Sequence, residues 1–348
     1  MEELTLSGSS VSQAMAECLA GTSTRARREI SIVVPTYRRE SVLLDSIEYL
    51  LNLDPGPAEI LIVDQTKEHE AETTSTLRAL DNAGKIRWFR LPEPSITGAM
   101  NAGLIAARQD IVLFLDDDVI PRANLIKAHS RAHQSGSTIV AGQVLQPGEE
   151  PEPRLDKPTE FRFRSSTPQA ITELMGGNFS IRRDVALRLG GFDENFVQVA
   201  YRFEAEFAAR ALAAGEKILF EPEASIRHLK ANAGGTRTYG EHLTTIKPSH
   251  SVGEYYYLLR SKQIPRRLFK IIARPFRAIR TRHHLYHPWW IPATLIAEGW
   301  GFLWAVALAA RGPRLIGKDD GRPTTGDRRP EDAGKRRANE ERGTETND

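Results

Sequence analysis

Four short β-rich runs, Ile30–Val34, Ile60–Val63, Ile86–Phe89 and Ile111–Leu115, alternate with stretches of helical spacing in the first third of this chain. Leu43, Ile47, Leu50 and Leu51 recur at the helical period after the first run. Residues 70–82 and 95–108 carry the next two helical patterns. The strand-like runs are close to continuously apolar rather than alternating, so both of their faces should be covered. That combination predicts an α/β fold with a mostly parallel sheet flanked by helices. Such sheets bind ligands in the crevice beyond the carboxyl ends of their strands. Three of the runs end in polar chemistry: Thr36-Tyr37-Arg38, Asp64-Gln65-Thr66 and Asp116-Asp117-Asp118. One crevice can collect all three.

The third of these ends poses an electrostatic problem. Asp116, Asp117 and Asp118 follow directly on Val112–Leu115, and adjacent carboxylates repel. Oxygen ligands at a strand end suit a hard divalent cation such as Mg²⁺ or Mn²⁺, provided a diphosphate completes the coordination. The plainer reading is that Asp118 caps a helix beginning near Pro121 and the other two are solvated. The chain has no G-x-G-x-x-G after the first strand and no G-x-x-x-x-G-K-[ST], which argues against a dinucleotide fold and a P-loop. Positive charge for a diphosphate would then come from the metal and from residues such as Arg38.

At 348 residues, with 40% hydrophobic and 26% charged residues, the chain has the composition of a soluble globular protein. A net charge of +2 gives no reason to expect a nucleic-acid partner. The lone Cys18 cannot form an intrachain disulfide, and the start, with Glu2 and Glu3, lacks signal-peptide character. The expected location is cytoplasmic. Residues 1–28 and 318–348 read as a disordered arm and a disordered tail.

Six segments occur in order: “SIVVPTYRR” (31–39), “EILIVDQT” (59–66), “GAMNAGLIAARQDIVLFLDDD” (98–118), “GGNFSIRR” (176–183), “GGFDENF” (190–196) and “EAEFAARALAAGEKILFEPEASIRH” (204–228). Together they resemble a family 2 glycosyltransferase of GT-A fold, over about residues 30–230. The resemblance implies an inverting transferase that moves a sugar from a nucleotide-diphosphate donor to an acceptor hydroxyl with Mg²⁺ or Mn²⁺. It implies a catalytic domain over 29–240, with a nucleotide half at about 29–120 and an acceptor half at about 121–240. By the same resemblance Pro35, Thr36, Tyr37 and Arg38 hold base and ribose, and Asp64 bonds the base. Gln65 and Met100 stand where relatives often have an acid and an Arg. Asn101 lies in the helix under the nucleotide. Asp116 and Asp117 face the nucleotide, and Asp118 and His228 face the metal. Gly176, Gly177 and Asn178 form a loop bordering donor sugar and acceptor. The family's base aligns with Glu204, although Phe203 replaces its acidic neighbour and Glu206 is a second choice. The plain alternative for Glu204 is a surface acid paired with Arg210.

Between Tyr255 and Ala297 there is no Asp or Glu, while nine Lys and Arg fall there. Ile264, Leu268, Ile271, Ile272 and Ile279 predict a basic amphipathic helix, broken at Pro275. His287, Trp289 and Trp290 precede the largely apolar run 291–310, which contains Glu298. Residues 241–317 thus read as a helical appendage, with three roles open: lying on an anionic membrane through 261–310, packing as a soluble helix, or spanning a bilayer. No Q-x-x-R-W motif is present, which favours addition of one sugar at a time. A non-catalytic nucleotide-sugar-binding or membrane-scaffolding protein of the same fold is the main alternative. A nucleotidyltransferase is a weaker one, since it would want a Gly-rich phosphate loop.

Overall fold

A computed structural model describes residues 30–153, 162–240, 242–261 and 264–317. The arm at 1–28, Cys18 and the tail at 318–348 lie outside the described residues.

The strands are β1 (Ile30–Thr36), β2 (Glu59–Asp64), β3 (Arg87–Arg90), β4 (Ile111–Leu115), β5 (Val119–Pro121), β6 (Ile139–Leu145), β7 (Gln169–Ile171), β8 (Asn178–Arg182) and β9 (Ile218–His228). The helices are α1 (Ser41–Leu51), α2 (Ala71–Asn82), α3 (Ile96–Ala106), α4 (Leu125–Gln134), α5 (Arg183–Arg188), α6 (Phe203–Ala213), α7 (Ser251–Arg260), α8 (Arg267–Ile279), α9 (Arg282–Tyr286) and α10 (Ile291–Arg311). All the strands join one sheet in the order β3-β2-β1-β4-β8-β6-β9-β5, with β7 also on β9. β1 to β4 pair in parallel.

Continuous apolar strands follow from the two layers they separate. Val33, Val63 and Phe114 face a core shared with Met100 and Leu104 of α3. Ile32, Val34, Ile62 and Leu113 face a second core with Leu43 and Ile47 of α1 and Leu77 of α2. Each α/β unit delivers its polar strand end to the same edge, as the sequence pattern requires.

Beyond β4 the sheet changes character, and that change builds the site. β8 runs antiparallel to β4, with Leu115 opposite Asn178, so Gly176 and Gly177 arrive beside Asp116. β9 runs parallel to β6 but antiparallel to β5, with Val119 opposite His228. Pro121 therefore ends a strand, and α4 starts only at Leu125. Asp118 is not a helix cap, because the chain after it is held by β9. The GGF segment behaves as its glycines predict. Gly190 and Gly191 have φ of 82° and 63°, and Gly191 N–H bonds Ala186 C=O at 2.9 Å to close α5.

Among the described residues, 242–261 and 264–316 pack into the same body as the sheet. Val252, Tyr255 and Tyr256 of α7 lie in the same core as Phe192, Phe196 and Phe203. Tyr256 Oη donates to Asp193 at 2.7 Å, and the other oxygen of Asp193 accepts the Arg314 N–H at 2.9 Å. α10 lies along α7, and Ser251 Oγ donates to Ala297 C=O at 2.9 Å. α8 is amphipathic as expected, but it runs unbroken through Pro275, which omits one backbone hydrogen bond inside an otherwise continuous helix. Its apolar stripe faces outward: Leu268, Phe269, Ile272 and Phe276 are each 64–69% exposed.

Two glycines of α10 separate packing from propensity. A Cβ on Gly301 would sit 2.1 Å from Ser251 Oγ, whereas one on Gly299 meets nothing within 4 Å. In urea denaturation, Gly301→Ala should cost about 1–3 kcal/mol through overpacking. Gly299→Ala should stabilise by roughly 0.5–1 kcal/mol through helix propensity alone.

Candidate active site

The ends of β1, β4, β8 and β9 and the start of α6 enclose a cavity of about 490 Å³. Its lining includes Pro35, Thr36, Tyr37, Asp116, Asp117, Asp118, Gly176, Gly177, Glu204 and His228. Asp64, Arg38, Asn101 and Asn178 are not among the lining residues.

The acidic run resolves into three environments. Asp117 accepts Thr36 Oγ1 at 2.8 Å and Arg39 Nε at 3.1 Å, so both its oxygens are engaged by protein. Asp118 is almost wholly buried and accepts the Ala231 N–H at 2.8 Å, with Arg39 Nη2 at 3.4 Å and His228 Nε2 at 3.0 Å. Asp116 is the open one, its side chain 41% exposed and 3.7 Å from His228 Nε2. One ligand atom each from Asp116, Asp118 and His228 fits within a 4.8 Å span. His228 Nδ1 lies 3.0 Å from Gln146 Oε1. An Nδ1–H donated to that amide oxygen directs Nε2 at the carboxylates, the usual outer support of a metal-ligating imidazole. Two carboxylate oxygens and one imidazole nitrogen suit Mg²⁺ or Mn²⁺.

The proton affinities follow the same geometry. Burial pushes Asp117 up to about 7 against the pull of Arg39 and Thr36. Burial also raises Asp116, with Asp118 adding repulsion. Burial works against charge on Asp118 too, but His228, Ala231 N–H and Arg39 outweigh it and hold that carboxyl low. For His228 the desolvation is outweighed by Asp118 and Asp116, and its imidazole is raised.

The compensating cation is Arg39 rather than Arg38, the residue expected from the sequence. Thr36 ends β1, and the backbone turns through Arg38 at φ 54°, leaving Arg38 exposed against the Tyr37 ring and sending Arg39 inward. Arg39 also donates to the carbonyls of Ala231 and Ala233, which draws the 231–235 segment over the site. A Cβ on Gly234 would lie 2.2 Å from Arg38 O, so only glycine allows that approach. Arg237 donates to the carbonyls of Lys230 and Ala231.

Glu204 stands across the cavity from the acids. A Cβ on Gly176 would lie 3.1 Å from Glu204 Oε1, and one on Gly177 would lie 2.5 Å from Asp116 Oδ2. Two adjacent glycines thus touch both carboxylates, and any side chain there would fill the gap. Burial pushes the Glu204 carboxyl up to about 7. Arg210 pairs with Glu206 at 2.8 Å rather than with Glu204, which removes the plain surface-pair reading. The approach to α6 is conformationally unusual, since Gln198, Ala200 and Arg202 have φ of 59°, 52° and 76°. Gln198 Oε1 lines the cavity, buried and without a hydrogen-bond partner among the described residues.

Three other candidates are anchors. Asp64 accepts the Thr66 N–H at 2.8 Å, Trp88 Nε1 at 3.0 Å, and faces His69 Nε2 at 2.9 Å. Gln65 lines the cavity in its place. Asn101 brackets the Phe192 backbone, donating to its C=O at 2.9 Å and accepting its N–H at 2.8 Å. Asn178 donates to Gln143 and Ala224 carbonyls and meets His129. Their amides hold strands and helix together beneath the cavity.

Replacing Arg39 by Met should leave two buried carboxylates without their cation and cost about 3–5 kcal/mol in urea denaturation. Arg38→Met, at an exposed position, should stay within about 0.5 kcal/mol.

Comparison with curated proteins gave no match. Among solved structures, GalNAc-T7 with UDP, GalNAc and Mn²⁺ aligns at 16% identity and a TM-score of 0.51, over 68% of this chain and 51% of that one. The chain therefore spans about half of that protein's length. The mannosyltransferase PcManGT from Pyrobaculum calidifontis, in complex with GDP-Man and Mn²⁺, aligns at 20% identity and a TM-score of 0.48, over 82% of this chain and 79% of that one. The fold is the GT-A fold that the six segments implied. Residues 31–190 match the family model described as Glycosyl transferase family 2.

Proposed function

We propose that the protein is a metal-dependent inverting glycosyltransferase that moves one sugar at a time from a nucleotide-diphosphate donor to an acceptor hydroxyl in glycan or glycoconjugate synthesis. The observation that carries this reading is the pair Gly176-Gly177, whose backbone separates Glu204 on one wall from Asp116 on the other. Asp116, Asp118 and His228 would hold a divalent cation. When bound, that ion neutralises charge on the departing nucleoside diphosphate. Tyr37 and Tyr239 line the cavity and offer flat faces to the base. Glu204 takes the proton of the acceptor hydroxyl as its oxygen bonds to the anomeric carbon. The bond from that carbon to the diphosphate oxygen breaks on the opposite side, which inverts the centre. Gln198 Oε1 is free to accept a hydroxyl of either sugar.

The same reading places the enzyme on the cytoplasmic face of an anionic membrane. Pro288–Arg311 has the length and apolarity to cross a bilayer, but one face of α10 packs on α7. Its other face, with Ile296, Trp300 and Leu303, is exposed beside the outward stripe of α8. Arg and Lys flank that stripe with no acid on the helix. A helix pair lying in the interface accounts for both features.

A thermal-shift screen of UDP- and GDP-sugars, with and without Mn²⁺, tests donor use. A cation-dependent rise in Tm with at least one donor is expected. Release of sugar from that donor separates the enzyme from a non-catalytic binder, which would bind without turnover. Transfer that survives both Asp118→Ala and Glu204→Gln would sink the site assignment.

The base must be ionised to work, so kcat/KM should rise with pH along an acid limb. Its midpoint is expected near the raised Glu204 value of about 7, or below it when a cation offsets the Asp116 charge that also raises it. Glu204→Gln should lower kcat by about 10²- to 10⁴-fold and abolish that limb.

A further inference from the structure

The chain reaches Glu204 by a costly path. Gln198, Ala200 and Arg202 alternate through left-handed φ values, and Arg202 is the residue from which α6 starts. A side chain makes that conformation unfavourable, and glycine would meet it more easily. An arginine held at φ 76° therefore supplies something that glycine could not. α7 fixes the path from the other side. A Cβ on Gly253 would sit 2.3 Å from the Tyr201 carbonyl oxygen and 3.1 Å from Tyr201 N, so α7 lies directly against that backbone. The next residue, Glu254, accepts Arg202 Nε at 2.8 Å. The Arg202 guanidinium also lies 4.9 Å from the centroid of the Tyr201 ring.

The same guanidinium belongs to the reaction cavity. Arg202 and Glu204 both line it, two residues apart at the start of α6, whereas Glu254 is not among the lining residues. Burial is what raises the Glu204 carboxyl, and the Asp116 charge across the cavity adds to it. Its own N–H, the Gly176 N–H and Arg202 act in the opposite sense, and Arg202 is the one cation of that set. The other charged groups nearby do not replace it. Glu206 is paired with Arg210 at 2.8 Å, and Glu173 is an exposed acid of the cavity lining. The Tyr257 hydroxyl, on α7 beside Arg202 and Glu254, is pushed up by burial and stays neutral.

We propose that Arg202, held by Glu254 of α7, is a positioning residue whose guanidinium keeps Glu204 ionised for the arriving acceptor hydroxyl. This rests on the transferase reading above, in which Glu204 is the base. A cation beside a carboxyl favours its ionised form, so removing it raises the pH at which Glu204 loses its proton. Activity should then be lost below the acid limb and recovered above it. A residue that only supported the fold would lower the rate at every pH. The segment after residue 241 thereby acts on the chemistry through α7, without touching substrate.

The test uses the full chain carrying glutamate labelled with ¹³C at the side-chain carboxyl. NMR titration reads Glu204 as the signal that Glu204→Gln lacks. In Arg202→Gln and in Arg202→Gly its midpoint should rise by roughly half a pH unit, the scale of one well-screened charge pair. Arg202→Gly suits the left-handed turn, so a shift there is not the mark of a damaged fold. Arg202→Lys should keep the midpoint near that of wild type. Glu254→Ala should move it only while Arg202 is present, and not in the Arg202→Gly chain. The acid limb of kcat/KM for donor turnover should follow the NMR midpoint, with a loss of about threefold below the limb. A Glu204 midpoint unmoved in both Arg202 variants overturns the proposal. A Glu254→Ala shift that persists in the Arg202→Gly chain also overturns it. A raised KM with the limb unmoved makes Arg202 a substrate contact instead. A midpoint that moves in a wild-type protein without donor turnover overturns the transferase reading and not the hold of Arg202 on Glu204.

Discussion

The buried guanidinium of Arg39 is the interaction on which the site depends. It meets Asp117 at 3.1 Å and Asp118 at 3.4 Å, and it bonds carbonyls of the 231–233 segment. Taking charges out of water is expensive unless each is paired and its remaining hydrogen bonds are met. Arg39 meets that condition for two of three neighbouring acids, and Thr36 and Ala231 complete their shells. Asp117 has both oxygens engaged by protein, whereas Asp116 and Asp118 keep ligand atoms within reach of His228 at the cavity.

The sheet makes that sorting useful. Parallel strands β1, β2 and β4 bring polar ends to one edge, as any doubly wound sheet does. The antiparallel return of β8 and the β5–β9 pairing are what bring Gly177 and His228 to the same edge. The registers are fixed by buried apolar faces on both layers, because a slip of one residue would expose them. Precision at the acids is thus inherited from packing well below them.

The C-terminal helices extend this logic outward. α7 is core, tied to Asp193 and to the aromatic cluster around Phe192. Among the described residues, Leu268, Phe269, Ile272 and Phe276 of α8 and Ile296, Trp300 and Leu303 of α10 are exposed. The same body therefore carries the reaction cavity and an exposed apolar surface.

Much of this was legible in the linear chain. Apolar runs and helical spacing dictate the first half of the sheet, because burial on two faces demands them. The acidic run, the paired glycines and Glu204 stand out as residue types that a buried, close-packed edge does not tolerate without a reason. The uncompensated basic stretch after Tyr255 likewise marks an outward-facing helix. Other features depended on direction rather than type. Whether Arg38 or Arg39 turns inward hangs on one positive-φ residue, and Asp64, Asn101 and Asn178 became anchors through partners such as Trp88, Phe192 and Ala224, which lie 24, 91 and 46 residues away in sequence. Local sequence determined which segments are strands, which are helices and where reactive side chains cluster, since propensity and periodicity act over a few residues. Only the tertiary structure decided which of those side chains is satisfied by protein and which is left facing the cavity, since that is a question of hydrogen bonds and ion pairs between distant parts of the chain.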